Sequence, residues 1–202
     1  MTGTDISPIQ SPWVPPNCEF QIDDMQLEWT WPENHFDYIH LRDLYGGLSD
    51  WGAVYKSAFA HLKPGGWFED LELDIKTRSD IVGDDPEHIF NRWNKVFLEA
   101  GEKIGKTLAI AEGSRMHDHL AEAGFVNRVE KKFRLPLNTW ARDPKLKEIG
   151  KLVHNFIDNG LEGFALYLLT QVMGWKYEEC VVFVAMMRKA LNDPKLQPYY
   201  KV

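Results

Sequence analysis

Carboxylates at the ends of two predicted strands are the side chains whose spacing is most informative about chemistry. Asp5 follows Gly3 and Thr4, and Asp23-Asp24 closes an alternating run that begins at Cys18. In doubly wound α/β sheets, ligands bind beyond the carboxyl ends of the strands, where a carboxylate can accept both hydroxyls of a ribose. Aspartate also commonly caps the turns at strand ends. The spacing alone leaves both interpretations open, a nucleoside site or two turn caps.

Other kinds of catalytic site lack support in the sequence. His117 and His119 are two residues apart and would point to different faces of a helix, which disfavours a metal site. The motifs G-x-S-x-G, H-E-x-x-H and C-x-x-C are absent. Cys18 and Cys180 lie in apolar surroundings that are typical of structural thiols. Neither nucleophilic nor metal catalysis is therefore predicted.

Length and composition predict one domain with a substantial core. The chain has 202 residues, of which 44% are hydrophobic, and a formal net charge of −7. This charge disfavours binding to nucleic acid or to anionic lipid, since both require a positive surface. No stretch of 18 apolar residues occurs and no signal peptide precedes the first strand. We expect an intracellular protein, in the cytoplasm or the nucleus, without a membrane segment.

The first half of the chain predicts a βαβ unit. A strand over Phe36–Leu41 is followed by apolar residues at helical spacing from Trp51 to Leu62, with Ser49 or Asp50 as the cap. The run Lys63–Gly66 is predicted to stop this helix, and the next strand extends from Trp67 to Ile75. A strand, a helix and a strand within about 40 residues indicate a parallel sheet.

The second half is predicted to be mainly helical. One helix begins at Asp85-Pro86, another covers 113–123 and ends at Gly124, and a strand is expected from Phe125 to Leu137. A further helix is predicted from Pro144 to Asn159-Gly160. Segments 161–173 and 177–191 are apolar around much of their circumference, so we expect them to be well buried. The aromatic residues of this half are expected to be core, with a small-molecule pocket as the alternative; they are Phe90, Trp93, Phe97, Trp140 and Trp175.

Several segments together resemble the fungal LaeA-like class I methyltransferases that depend on S-adenosylmethionine. These are Gly3–Gln10, Trp13–Asn17, Ile22–Asp24, Phe36–Arg42, His61–Glu69 and Gly124–Val126. The resemblance implies an α/β fold, a doubly wound Rossmann-like sheet truncated at its first strand, with a helical C-terminal part. It implies a single domain over 1–202, in which 1–85 form a partial cofactor-binding sheet and 86–202 a helical substrate or cap part.

The resemblance also implies a cofactor site. Asp5 matches the acidic residue that accepts the ribose hydroxyls of S-adenosylmethionine, and Ile6 would lie beside the adenine. Asp24 matches the carboxylate that receives the adenine amino group, with Asp23 as the alternative if the register differs by one. Met25 would supply a nearby backbone group.

His40, Leu41 and Arg42 match the end of a strand next to which the methyl group and its acceptor meet. Methyl transfer from a sulfonium requires mainly that the acceptor be held in line. If an oxygen acceptor needs a base, His40 is the candidate, with Asp43 behind it, and a structural histidine is the alternative. Arg42 would either contact substrate or pair with Asp43 or Asp37.

The sequence departs from the family at two places. No glycine-rich loop precedes Asp5, and the family's last strand has no evident counterpart after Tyr199. The resemblance implies a methyltransferase that acts on a small molecule in fungal secondary metabolism. The alternatives are an inactive methyltransferase-like protein with a regulatory partner, or non-methylating chemistry such as cyclisation. Unpaired strands would also permit a strand-exchanged homodimer.

Overall fold

A computed structural model describes residues 1–11 and 13–202. Pro12, which belongs to the proline-rich stretch after the first strand, lies outside the described residues. The chain separates into two compact units, which do not follow the predicted division at residue 85. The first comprises Met1–His40, Asp50–Glu69 and His119–Val126, and the second comprises Leu41–Ser49, Asp70–Asp118 and Asn127–Val202. That both act as one domain stays a prediction.

Two short parallel strands begin the first unit. Strand β1 (Thr2–Asp5) pairs with β2 (Glu19–Ile22), and the register places Asp5 opposite Ile22. Gly3 permits this pairing, because a Cβ there would come within 2.5 Å of the Phe20 ring. The predicted strand after Cys18 is confirmed, and its last residue is level with the end of β1.

The βαβ prediction is confirmed. Strand β3 (Phe36–Arg42) pairs with β4 (Leu62–Leu71), and helix α1 (Trp51–His61) connects them. The Asp50 side chain caps α1 by accepting from the Ala53 N–H at 2.8 Å. Lys63 contacts Asp37, and Glu69, six residues on, contacts His40. Contacts therefore advance in the same direction along both strands, as in a parallel pair.

The strand after α1 differs from its predicted bounds. It begins at Leu62, whose backbone is already extended (φ −78°, ψ 139°), so Pro64, Gly65 and Gly66 lie within β4 rather than in a turn. The single strand predicted over Trp67–Ile75 is divided, and Asp74–Arg78 forms a separate strand, β5. The division arises because β5 pairs with the C-terminal strand rather than with β3.

Apolar side chains on three helical segments form most of the core of the second unit. These segments are α2 (Ile89–Lys103), α4 (Pro144–Tyr167) with a π-helical turn at Leu168–Val172, and α5 (Tyr177–Leu191). The Trp93 ring stacks on Phe183 with centroids 5.4 Å apart. Phe90, Trp93 and Phe97 are almost fully buried, which confirms the core interpretation for them. Trp175 packs against this core, and the Trp140 indole donates to the Pro198 carbonyl at 2.8 Å.

Two predictions about these helices are wrong. Helix α4 does not end at Asn159-Gly160 but continues to Tyr167, because buried Leu161 and Ala165 extend its core-facing stripe. Packing of that stripe outweighs a glycine cost of roughly 1 kcal/mol. Segments 161–173 and 177–191 are less buried than the expected extent, since Tyr167 is 64% exposed and Val182 59% exposed. Only one side of each helix meets the core.

The remaining elements include a strand at the C-terminus. Helix α3 (Arg115–Ala123) ends before Gly124, as predicted, but the strand expected over Phe125–Leu137 is reduced to β6 (Arg134–Pro136). A 3₁₀ turn, Pro194–Leu196, precedes β7 (Tyr199–Lys201), which pairs antiparallel with both β5 and β6. Strand β7 was not predicted from the sequence, and the absence of the family's last strand stays a prediction. Three residues carry too little pattern to be recognised, and pairing on both sides makes them a strand.

Candidate functional site

The predicted cofactor carboxylates lie at the same end of the β1–β2 pair. Asp5 is opposite Ile22, and the Asp23 N–H donates to the Asp5 carbonyl at 3.0 Å. Asp5 Oδ1 accepts from the Ser7 N–H at 2.8 Å, and Asp24 Oδ1 accepts from the Gln26 N–H at 3.0 Å. Each carboxylate thus caps its own turn with one oxygen. Within residues 1–11 and 13–202, Oδ2 of Asp5 and Oδ2 of Asp24 have no hydrogen-bond partner.

The two neighbours predicted to contact adenine differ in their surroundings. Ile6 follows Asp5 and is 72% exposed, so it presents an apolar surface directly beside that carboxylate. Met25 is half-buried, and its carbonyl accepts from the Trp29 indole N–H at 2.9 Å. The backbone carbonyl of Met25 is therefore already engaged, which leaves its N–H for any ligand contact.

His40 belongs to a cluster of three polar side chains on β3 and β4. His40 Nδ1 lies 2.9 Å from Glu69 Oε2, and the Tyr38 hydroxyl donates to the same oxygen at 2.5 Å. The Tyr38 and His40 rings stack with an interplanar angle of 19°. The hydrogen bond to Glu69, with some desolvation, raises the pKa of Tyr38. The carboxylate beside His40 is thus Glu69, and the expectation that Asp43 lies behind it is wrong.

Asp43 instead pairs with its neighbour on the chain. Arg42 Nε lies 3.2 Å from Asp43 Oδ2, one of the two structural pairings considered for this arginine. Asp37 is held by Lys63, whose ammonium lowers the pKa of that carboxyl. Leu41 is 4% exposed, so its side chain is core and only its backbone is available to a ligand.

A second glutamate, Glu72, was not predicted to have a role. It is 3% exposed, and its carboxylate accepts from the N–H groups of Leu44 at 2.8 Å and Tyr45 at 3.0 Å. Burial, reinforced by the charge of Asp70, raises the pKa of Glu72 to about 8 against the opposing effect of the Leu44 N–H. Glu72 therefore holds the loop that follows Arg42. In the sequence it falls on the polar positions of an alternating strand, which predicts exposure.

The second unit also contains a polar cavity of about 530 Å³, a volume typical of small-molecule sites. It is lined by residues of β5 and α2, among them Lys76, Arg78, Asn91 and Lys95. Lys76 pairs with Glu112 and Arg78 with Asp74, so these two cations are already neutralised. No residue predicted for the cofactor or the acceptor lines this cavity.

The described part of the chain lacks two further kinds of feature. Among residues 1–11 and 13–202, no group of three or more histidine, cysteine, aspartate or glutamate side chains is arranged to hold a metal ion. No helix there combines the length and the apolar character needed to cross a bilayer.

Comparisons with known proteins point to one family. A family model described as a methyltransferase domain matches residues 1–128. The methyltransferase pytC of Aspergillus terreus is 36% identical over 94% of this chain and 57% of its own length. The secondary metabolism regulator LAE1 of Cochliobolus heterostrophus is 32% identical over 99% of this chain and 66% of its own. The protein-methionine methyltransferase laeA of Emericella nidulans is 28% identical over 98% and 53%.

The chain therefore spans between about half and two thirds of the length of these relatives. One similar solved structure is Haemonchus contortus phosphoethanolamine N-methyltransferase 2 in complex with phosphomonomethylethanolamine and S-adenosylhomocysteine. The match covers 91% of this chain and 36% of the Haemonchus contortus chain. Its TM-score is 0.43 at 15% identity, too low to support an argument about geometry. The sequence matches are sufficient on their own: the chain belongs to the methyltransferase domain family, among the fungal LaeA-like methyltransferases.

Proposed function

We propose that this chain binds S-adenosylmethionine and transfers its methyl group to a small molecule of fungal secondary metabolism. One observation carries the proposal: in a chain of this family, two parallel strands end level with each other. Strand β1 ends in Asp5 and β2 is followed two residues later by Asp24, and each carboxylate has an oxygen without a partner in the described chain. A ribose and an adenine amino group need such acceptors at the carboxyl ends of neighbouring strands.

Each predicted cofactor residue has a role in this proposal. Asp5 accepts the ribose hydroxyls through Oδ2, while Oδ1 keeps the turn to Ser7 closed. Asp24 accepts the adenine amino group, and Asp23 is the alternative if the register differs by one. The exposed side chain of Ile6 covers one face of the adenine, and the Met25 N–H donates to a ring nitrogen.

The residues at the end of β3 act on the acceptor. The bound cofactor supplies a methyl group that its positive sulfur has already activated, so positioning is the main requirement. His40, at 37% side-chain exposure, is accessible to a substrate proton. Arg42 uses Nε for Asp43 and presents the rest of its exposed guanidinium to polar groups of the acceptor. Leu41 is the remaining cofactor-binding residue, and it acts through its backbone because its side chain is buried.

A regulatory protein is the second candidate. The alternative is a catalytically inactive methyltransferase-like protein with a regulatory partner, and its support is that relatives from Cochliobolus heterostrophus and Monascus pilosus are named secondary metabolism regulators. Nothing in the described residues favours cyclisation, and a homodimer and a cytoplasmic or nuclear location stay predictions.

Titration calorimetry with S-adenosylmethionine tests the proposal. We expect binding by the 202-residue chain, and Asp5→Ala to weaken it by about 1.5–3 kcal/mol, the range for a hydrogen bond to a charged group. Asp5→Asn keeps an acceptor for the Ser7 N–H and separates loss of the charge from loss of the turn. Asp37→Ala is the matched control, because it removes an exposed carboxylate of the same unit that pairs with Lys63.

Two outcomes would contradict it. If the wild-type chain gives no heat at millimolar S-adenosylmethionine, the methyltransferase proposal is wrong for this chain. If Asp5→Ala binds as tightly as Asp37→Ala, the cofactor does not contact Asp5 and the placement of the site is wrong.

A further inference from the structure

The cluster of Tyr38, His40 and Glu69 has a geometry that a structural ion pair does not require. Tyr38 and His40 are two residues apart on β3, so both project from the same face of the strand. Both reach one oxygen, Glu69 Oε2, at 2.5 Å and 2.9 Å, whereas the Tyr38 hydroxyl and His40 Nδ1 are 3.4 Å apart. The carboxylate is thus the common acceptor of two neighbouring groups.

The hydrogen-bonding capacities of these groups determine which nitrogen of His40 carries its proton. An ionised carboxylate only accepts, and the Tyr38 phenol already donates to Oε2. The shift of the Tyr38 pKa to higher values keeps that phenol protonated near neutral pH. His40 Nδ1 can therefore approach Oε2 favourably only as an N–H donor. In the neutral ring this leaves Nε2 with its lone pair, as in other carboxylate–histidine pairs that accept protons.

Stability alone does not account for the cluster. The Glu69 side chain is 58% exposed and that of His40 37% exposed. Ion pairs at such positions typically contribute about 0–1 kcal/mol. The alignment of these three polar side chains on an exposed strand face is better explained by its effect on His40, whose proton it holds on Nδ1.

We propose that Glu69 and Tyr38 position His40 as a proton acceptor and, consequently, that the methyl acceptor atom of this chain is a hydroxyl oxygen. The inference rests on the proposed methyltransferase function and names the chemical class of its substrate. The acceptor oxygen forms a bond to the methyl carbon while the sulfur–methyl bond breaks with its electron pair on sulfur. The hydroxyl proton passes to Nε2 of His40, and Glu69 stabilises the imidazolium.

A thioether acceptor, unlike a hydroxyl acceptor, would not need a base. A methionine sulfur carries no proton, so its methylation gives a proton acceptor nothing to do. The relative from Emericella nidulans is named a protein-methionine methyltransferase. The present proposal assigns a different acceptor to this chain, and the difference is measurable.

The first test does not depend on activity. Long-range ¹H–¹⁵N NMR spectra of the 202-residue chain should show His40 protonated at Nδ1 and not at Nε2 near pH 8. Glu69→Gln supplies a donor as well as an acceptor, so we expect a mixture of the two tautomers. Tyr38→Phe should keep the wild-type tautomer, and Asp37→Asn, a carboxylate substitution elsewhere on β3, should change nothing. A wild-type tautomer in Glu69→Gln would overturn the positioning role.

The second test measures methyl transfer from S-adenosylmethionine to two probes, 2-naphthol and N-acetylmethionine amide. Removing a positioned base typically costs about 10²–10⁴-fold, so we expect Glu69→Gln to lower kcat for 2-naphthol by roughly 10- to 100-fold with KM little changed. Tyr38→Phe should lower it only a few-fold. Circular dichroism of each variant confirms that it is folded.

The outcomes separate this inference from the proposed function. Methylation of N-acetylmethionine amide but not of 2-naphthol would overturn the inference and leave the methyltransferase function standing. Equal kcat values for wild type and Glu69→Gln would do the same. If the chain binds no S-adenosylmethionine, the proposed function fails, the hydroxyl acceptor fails with it, and the NMR spectra alone decide whether Glu69 positions His40.

Discussion

Glu69 in the first unit and Glu72 in the second show how burial separates the roles of one residue type. They are three positions apart, yet the side chain of Glu69 is 58% exposed, whereas Glu72 as a residue is 3% exposed. Glu69 contacts the side chains of Tyr38 and His40, and Glu72 accepts two backbone N–H groups. An exposed carboxylate can exchange partners and accept protons from solvent, and a buried one must satisfy the backbone around it. Exposed Glu69 is therefore available for chemistry in the first unit, whereas buried Glu72 supports a loop in the second.

The largest expected effect comes from deleting these two side chains in turn. Glu72→Ala leaves the N–H groups of Leu44 and Tyr45 buried without an acceptor, at about 1–3 kcal/mol each. We expect the free energy of unfolding in urea to fall by about 2–6 kcal/mol. Glu69→Ala removes the exposed contacts with Tyr38 and His40 and should cost less than about 1 kcal/mol. Equal losses in the two variants would show that burial does not distinguish these glutamates.

The stability of the protein should also depend on pH through Glu72. Burial raises the pKa of Glu72 to about 8 from an ordinary 4.5, so between pH 5 and 8 the folded state keeps a proton that the unfolded state releases. Stability should therefore fall as pH rises through this range, by about 1.4 kcal/mol per pH unit at most, or about 3 kcal/mol from pH 5.5 to 7.5. The negative charges of Asp70 and Asp43 act in the same direction, and the N–H groups of Leu44 and Tyr45 oppose it.

Urea unfolding of wild type and Glu72→Gln at several pH values measures this dependence. Every other titratable group is present in both proteins, so the difference between the two curves isolates Glu72. The glutamine variant should gain stability relative to wild type as pH rises. Parallel curves for the two proteins would mean that Glu72 is ionised throughout.

The smallest expected effect concerns one glycine in each unit. Gly46 (φ +70°) lies in the loop held by Glu72, and a Cβ there would meet Leu108 Cδ2 at 2.5 Å. Gly65 (φ +83°) lies in β4 and a Cβ there meets nothing within 4 Å. Both substitutions to alanine incur the left-handed backbone cost of about 1–2 kcal/mol, and Gly46→Ala adds a clash of about 1 kcal/mol or more. Thermal unfolding should rank Gly46→Ala below Gly65→Ala, and the reverse order would show that the loop is free to move.

Local patterns predicted the elements that depend on local interactions. The period of apolar residues and the Asp50 cap predicted α1 to within one residue of its observed start, because helix spacing and capping involve neighbours within one turn. The end of α4 was predicted wrongly for the opposite reason. Glycine at 160 favours a stop, and only the core reached by Leu161 and Ala165 shows why the helix continues.

Some residues of the candidate site were likewise predictable from the sequence, and others were not. Asp5 and Asp24 were recognisable because each matches a family motif and Asp23-Asp24 closes an alternating run, and the parallel register of β1 and β2 supports their proximity. Glu69 was not recognised as the partner of His40, since a contact between residues 29 positions apart leaves no trace in spacing. Asp43 was chosen for its nearness along the chain, whereas it is the adjacent Arg42 that it pairs with.

Sequence by itself determined the family, the order of strand, helix and strand around α1, and the aromatic composition of the second core, because each depends on residue type and short-range periodicity. Tertiary structure alone decided that Glu69 rather than Asp43 faces His40, that Glu72 is buried beneath the loop after Arg42, and that Tyr199–Lys201 form a strand. The physical reason is that hydrogen-bond partners and burial are set by strand pairing between segments distant along the chain, and pairing is a property of the folded molecule.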